Sequence, residues 1–418
     1  MRIAVVGTGI AGLASAWLLS SRHDVHVFER RDRLGGHTHT VEVDRPGGPL
    51  GIDTGFIVHN DATYPLLVRL FEQLGVATQP SDMSWSLRCE RCALEYAGNA
   101  RGVFAQPGNL ADPTHLRMLA DIQRFNRLGR RLIDDPRAAR VPLGRFLDDA
   151  GFGHGFTRHY LLPMASAIWS SGTGAAGDLP LGTLLRFFSN HGLLGVGTHH
   201  QWRTVVGGSS AYLPALTAPF AEAIHLGNGV RTIARDADGV TLRLDDESSH
   251  RFDVVVLASH ADQSLGLLAD PTRQEKELLG AWGYADNDTY LHTDRQLMPR
   301  SRRAWASWNY RLADCREGDG KVSLNYHMNR LQGLDEPQDY LVSLNPTSAP
   351  RPDRVLARMN YRHPVFDTSS VATQERLGEL DGRHRTYYAG AYQRYGFHED
   401  GLFSAVRVAD RLGVRWPS

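Results

Sequence analysis

Hydrophobic positions come in two rhythms along this chain. Ile3-Ala-Val-Val-Gly7 is a run of apolar residues closed by a glycine, the pattern of a short buried strand. Ala11 to Ser21 carries apolar residues at helical spacing, and Val25-His-Val-Phe28 reads as a second strand. Strand, helix and strand so close together form a βαβ unit and predict a parallel sheet. Residues 66 to 200 are richer in helical patterning. Thr114 to Ile133 is the clearest stretch, and Leu179 to Val196 is short of charge and rich in Leu, Phe and Gly. Strand-like runs return at Gly229 to Leu244, Phe252 to Ala258, Thr289 to His292, Val322 to Met328 and Tyr340 to Leu344. Thr386-Tyr-Tyr-Ala-Gly390 predicts a last strand and Leu402 to Leu412 a last helix. The sequence has no internal repeat and no low-complexity segment.

A length of 418 residues suits two domains. Net charge is zero, which gives no electrostatic reason to expect nucleic acid as a partner. Positive charge is almost all arginine, with lysine only at Lys276 and Lys321. Three cysteines, Cys89, Cys92 and Cys315, cannot build a disulfide framework, so a reducing, cytoplasmic setting is expected. Cys89 and Cys92 form one CxxC. With no second pair to complete four ligands, no metal site is expected, and the pair reads as inert, on a strand or hairpin, with a redox role as the alternative. Met1 leads almost at once into the first strand, where no signal peptide fits. No apolar run reaches the length of a transmembrane helix.

Gly7-Thr-Gly9-Ile10-Ala11-Gly12 matches GxGxxG between the first strand and the first helix, and Glu29 closes the second strand. Gly7 permits the turn, Gly9 lets backbone approach a pyrophosphate, and Gly12 lets helix pack on sheet. Glu29, with Arg30 beside it, is placed for a ribose hydroxyl. A second glycine pair follows in Arg33-Leu-Gly35-Gly36-His37-Thr38, and Asp53-Thr-Gly55-Phe56-Ile57 reads as a strand passing a flat ring. Ala389-Gly390 ends the last strand, and His398-Glu399-Asp400-Gly401 precedes the last helix at Leu402, whose N-terminus can stabilise negative charge on a reduced flavin. An NAD domain needs none of these later pieces, so the cofactor expected is FAD. Val230, at the start of a strand run, completes the predicted cofactor contacts. The fold class is α/β. A discontinuous Rossmann-like FAD-binding domain of amine oxidase or glutathione reductase type takes residues 1–65, 205–265 and 383–418. A mixed α+β substrate domain takes 66–204 and 266–382.

MRIAVVGTGIAGLASAWLL, ERRDRLGGHTHTV and DTGFIVHN resemble the flavin-containing amine oxidase superfamily. LLPMASAIWSS, LLRFFSNHGLL, QWRTVVGGSSAYL, YLHTDRQLMP and YYAGAYQRYGFHEDGL are similar to one branch of it: bacterial FAD-dependent oxidoreductases encoded beside cyclopropane fatty acid synthases, and the N-terminal domain of plant cyclopropane synthases. The resemblance runs nearly end to end. It implies work on phospholipid acyl chains as a dehydrogenase of methyl-branched or cyclopropane-related groups. It also implies a lipid substrate, a cyclopropane synthase-like methyltransferase as partner, and peripheral contact with the inner face of the membrane. The alternatives are a redox-neutral double-bond isomerase and a non-catalytic partner of the methyltransferase.

The chain departs from ordinary amine oxidases at three places. His37 stands where an arginine usually follows the second glycine pair. Asp288-Thr-Tyr290-Leu-His292 lacks the lysine often found near flavin N5. No cysteine lies in the C-terminal flavin motif, so FAD is expected to be non-covalent. These departures favour oxidation of a carbon–carbon bond over that of an amine. Tyr395, His398 and Glu399 before the last helix, with Tyr290 and His292 on the facing strand, are the candidate catalytic residues. Leu181 to Val196 is the candidate acyl tunnel or bilayer contact, with an ordinary core helix as the alternative.

Overall fold

The computed structural model describes residues 1–195, 200–316 and 323–417; Val196 and Val322, which bound two predicted runs, lie outside them. A five-stranded parallel sheet runs in the order Ile224–His225, Asp24–Phe28, Arg2–Val6, Val254–Leu257, Thr386–Tyr388. Both faces are covered, as a parallel sheet requires. Ile3, Val5, Val25 and Val27 pack toward the first helix, Ile10–Leu19, and the last, His398–Arg411. Ala4, Val6 and Phe28 pack toward an antiparallel meander of Val230–Arg235, Val240–Leu244 and Ser249–Phe252. The predicted run Gly229 to Leu244 is therefore two strands, turned where Asp236 accepts the amides of Asp238 and Gly239. Arg235, Glu275 and Tyr388 tie meander and parallel sheet together through a buried ion pair and a 2.7 Å hydrogen bond.

The second layer is a seven-stranded sheet in the order Val355–Pro364, Tyr284–His292, Leu341–Leu344, Leu324–His327, Trp308–Leu312, Trp85–Cys89, Glu95–Ala97. Its neighbours are antiparallel except Trp308–Leu312 against Trp85–Cys89. One face, with Leu87, Tyr310, Leu324, Val342 and Leu291, shares a core with the helices Pro113–Leu132, Leu162–Trp169 and Leu181–Asn190. The other face carries a buried polar ladder. His292 meets Ser343 at 2.6 Å, Ser343 donates to Asn325, Asn325 donates to the Asn309 carbonyl, and Ser86 donates to Asn309.

Two of the candidate catalytic residues lie on that face. His292 has one ring nitrogen on Ser343 and the other on the Asp294 amide, while Tyr290 lies opposite Ser343 with the Arg358 guanidinium over its ring. Both sit on the face turned away from the shared core. Three readings change. The last helix starts at His398 rather than Leu402, because the Phe397 amide is capped by the Asp400 carboxylate at 2.9 Å. Strand geometry ends at Asp53, so Gly55–Ile57 is not a strand: the Phe56 amide turns to bond the His37 carbonyl at 2.7 Å. The helix Leu181–Asn190 buries Leu181, Leu184, Leu185, Phe187 and Phe188, so its described residues offer no apolar face to a bilayer. No helix among the described residues is long and apolar enough to cross a membrane.

Candidate active site

The glycine loop behaves as its spacing predicts. A Cβ on Gly12 would lie 1.9 Å from the Gly7 carbonyl oxygen, so only glycine lets the first helix pack this close. A Cβ on Gly9 would meet nothing within 4 Å: open space lies beside it. The helix that starts at Ile10 and Ala11 has neither a side-chain cap nor an acid in its first turn. Its free N–H groups and partial positive charge face that space, an arrangement suited to a pyrophosphate. Glu29 accepts from the Thr8 amide at 3.0 Å and the Thr8 hydroxyl at 2.6 Å, and from the Arg31 amide at 3.0 Å. A carboxylate offers about four acceptor positions, which leaves one for a ribose hydroxyl. Arg30 points outward, toward Asp245 at 3.7 Å, and Val230 is buried at the meander edge beside Gly229, which abuts Arg30.

The second glycine pair docks on the first. The Gly35 amide bonds the Thr8 carbonyl at 3.0 Å, and a Cβ on Gly36 would come within 3.0 Å of the Gly9 Cα. Arg33, which the sequence reading did not select, donates to the carbonyls of Leu34 and Gly36. It brings a guanidinium to the loop where His37 supplies none. The signal was present three residues before Gly36. His37, His260 and His363 converge beyond the loop, with ring centroids 5.1 Å apart for His37 and His363 and 6.3 Å for His37 and His260. Tyr361 lies 5.2 Å from His37. Burial, reinforced by Arg31 and Arg33, pushes His37 down to about 4, and burial with neighbouring cationic groups pushes His260 to about 3. Burial holds His363 well below its ordinary value. All three imidazoles are thus neutral at pH 7, and His37 Nε2 and His260 Nδ1 are buried with no partner among the described residues. Orphaned donors or acceptors, open space at Gly9 and a bare helix N-terminus together fit a bound dinucleotide. The sequence offered no signal for His260, Tyr361 or His363, which come from distant segments.

The last helix closes the site. Gly401 crosses the first helix where its Cβ would lie 2.8 Å from Ile10 Cγ2, and the Gly390 amide bonds Ser404 at 2.8 Å. Leu402 is fully buried, and the Ile57 carbonyl accepts from Thr204 at 2.9 Å. His398 stacks on Phe56 with centroids 3.7 Å apart, and its Nε2 meets the Thr38 hydroxyl at 3.0 Å; Thr38 meets Tyr212 at 2.5 Å. Burial pushes His398 down to about 3, so this imidazole is a neutral wall. Glu399 is not free for catalysis. Its two oxygens accept the amides of Leu66 and Leu67, at 3.0 and 2.9 Å, and cap the helix Pro65–Leu74. Asp400 holds the Phe397 amide, with Arg394 3.7 Å away, and burial pushes its carboxyl up to about 7. Tyr395 remains: its carbonyl accepts from Trp169 Nε1 at 3.1 Å, and its hydroxyl makes no hydrogen bond among the described residues. Around it stand Trp169, Phe187 and Phe397, and His191 stacks on Phe187 at 3.8 Å with Trp202 behind.

A parallel sheet with a bare glycine loop, a second glycine pair stacked on it and a helix sealing both define an FAD-binding oxidoreductase fold. The chain belongs to the flavin containing amine oxidoreductase family, which matches residues 10–317. It is 29% identical over 272 residues to AofH of Mycobacterium tuberculosis (strain CDC 1551 / Oshkosh), which carries the name of a flavin-containing monoamine oxidase. That match covers 61% of this chain and 56% of AofH, so the chain spans about half the length of that relative. Among solved structures, a conjugated-linoleic-acid-producing fatty acid isomerase from P. acnes superposes with a TM-score of 0.71 at 18% identity, over 99% of both chains. Cyclohexylamine oxidase from Brevibacterium oxydans superposes at 0.70 with 16% identity, also over 99% of both chains. At such identities the likeness is one of fold.

Proposed function

We propose that this FAD-dependent oxidoreductase acts on the acyl chain of a lipid as a dehydrogenase, and not on an amine. The observation that carries this reading is the charge state of the site. His37, His260, His363 and His398 are neutral, the wall at Tyr395 is aromatic, Glu399 is bound to a helix end and Asp400 to the Phe397 amide. Among the described residues at this wall, neither Glu399 nor Asp400 is free to receive an ammonium group, whereas an uncharged chain loses nothing by entering. FAD, when bound, accepts a hydride from a substrate carbon. The chain's own part is to hold that carbon in place, exclude water with Trp169, Phe187 and Phe397, and take the proton from the adjacent carbon. Tyr395, whose hydroxyl makes no hydrogen bond among the described residues, is the residue we assign to that proton, which it would take as the phenolate after its own proton has gone to solvent. A cleft of about 1090 Å³, lined by Glu42, Arg45, Leu50, Val205, Gln332 and Leu334 among others, mixes polar and apolar walls.

Anaerobic mixing with phospholipid vesicles carrying methyl-branched or monounsaturated chains is expected to bleach the bound flavin and yield a product two mass units lighter. Bleaching by polyamines or amino acids, with none by any lipid, would overturn the proposal. Conversion with no change in mass would assign the site to double-bond movement within the chain, a redox-neutral isomerisation; fatty acid isomerase is the name carried by the structurally similar P. acnes enzyme.

A further inference from the structure

All three cysteines of the chain meet at one point, far apart in sequence and away from the glycine loops. The ligand atoms of Cys89, Cys92, Cys315 and His159 lie within 4.8 Å of one another. The reading that Cys89 and Cys92 lack further ligands is thereby corrected: the fold supplies a thiol and an imidazole where the sequence shows no second pair. Cys89 ends the strand Trp85–Cys89, whose neighbour Trp308–Leu312 runs parallel with Leu312 opposite Cys89; three residues later the chain reaches Cys315. His159 comes from the helical layer, on a single π-helical turn, Thr157–Leu161. Such turns rotate a side chain out of helical register and mark functional positions. The Tyr96 hydroxyl fixes that turn by donating to the His159 carbonyl at 2.6 Å.

The loop between the two cysteines is a tight reversal. The Cys89 amide donates to the Leu94 carbonyl at 2.9 Å and closes the hairpin that carries both sulfurs. The reversal depends on Ala93 in the left-handed region at φ 58°, a conformation strained for a residue with a Cβ. His159 Nε2 reaches Cys92 Sγ at 3.5 Å, and Arg91 joins Asp314 at 2.6 Å, which draws the cysteine loop onto the segment carrying Cys315. A closed hairpin, a strained tip and three segments drawn to one centre have no purpose in the flavin site.

We propose that Cys89, Cys92, His159 and Cys315 bind one zinc ion in a closed, structural site. Three sulfurs and one imidazole nitrogen are the donor set that zinc prefers, and four protein ligands complete its tetrahedron without a position for water or substrate. Zinc–sulfur bonds of about 2.3 Å put tetrahedral ligand atoms roughly 3.8 Å apart, a small contraction of the present cluster. On binding, the three thiols release their protons to solvent and no electron is transferred. The ion joins the seven-stranded sheet to the helical run that continues through Leu162–Trp169, whose Trp169 supports Tyr395.

The test uses flavin-loaded, full-length protein purified without chelators or immobilised-metal columns. Elemental analysis is expected to find about one zinc per chain, falling below about a tenth in Cys92→Ser and Cys315→Ser with flavin retained. Should those variants fail to fold, wild-type protein grown on cobalt decides: it is expected to show the absorption bands of tetrahedral cobalt–thiolate at wavelengths beyond the flavin's own. Wild-type protein with under about a tenth of a zinc per chain and no such bands overturns the proposal, as does zinc content unchanged in both variants.

Discussion

At Glu29 one carboxylate oxygen holds Thr8 through bonds of 3.0 and 2.6 Å while the other anchors the Arg31 amide, so the residue shapes the glycine loop as well as facing the ribose. Hydrogen bonds to a charged group contribute roughly 1.5–3 kcal/mol each. Glu29→Ala is expected to weaken FAD binding by about ten- to several hundredfold, read by equilibrium dialysis. Excess FAD should restore most of the lost melting temperature by mass action, and the part due to the freed loop should persist. Full flavin occupancy after dialysis would contradict the assignment. Gly9→Val behaves differently: its side chain enters the open space, so the fold survives but no concentration of FAD rescues binding. Asp400 gives a pH signature. Its pKa rises from 3.8 unfolded to about 7 folded, chiefly through burial, so folding favours the protonated form and stability is lost as pH climbs from about 4 through 7. Asp400→Asn escapes this loss. Its stability advantage over wild type should widen by about 3 kcal/mol between pH 5 and pH 8 and then level off. Denaturant titrations showing a constant gap would refute this.

Among the elements, the helix Pro65–Leu74 owes its N-terminus to Glu399, a residue 332 positions away. Glu399→Ala leaves the Leu66 and Leu67 amides without their cap and is expected to lower stability by about 0.5–2 kcal/mol while kcat stays within a few-fold. A hundredfold loss of kcat at unchanged stability would restore Glu399 to the chemistry. The same residue shows what the sequence makes legible. GxGxxG, the second glycine pair and Glu29 are local patterns, and each is found where its spacing puts it. That Glu399 stands near the cofactor region was also legible; that its carboxylate is engaged by another element was not, because the partner is fixed only by packing. Which way Tyr290 and His292 face was illegible for a related reason. A strand alternates its faces with period two, and sequence alone does not say which face looks inward when both are buried. His260, His363 and Tyr361, like Cys315 and His159, become a site only through contacts between distant segments.

Across the whole molecule, FAD is expected to leave intact when the protein is precipitated with acid, giving a yellow supernatant and a colourless pellet. All three cysteines are gathered in one cluster with His159, so none is available to a flavin ring. Flavin retained by the pellet would contradict this.

The parallel sheet takes its strands from residues as early as Arg2 and as late as Tyr388, and Gly401 on the last helix packs against Ile10 on the first. During synthesis the ribosome therefore delivers the pyrophosphate loop nearly four hundred residues before its cover. Until then the strand Val254–Leu257 keeps an open edge and the first helix an uncovered face. Pairings so distant in sequence form slowly, because loop closure precedes any reward. Cofactor capture is thus a late event that waits for the last strand and the last helix to dock. A nascent chain stalled before the last strand cannot hold FAD, and flavin-starved cells would accumulate a fully translated, colourless form that matures when flavin returns.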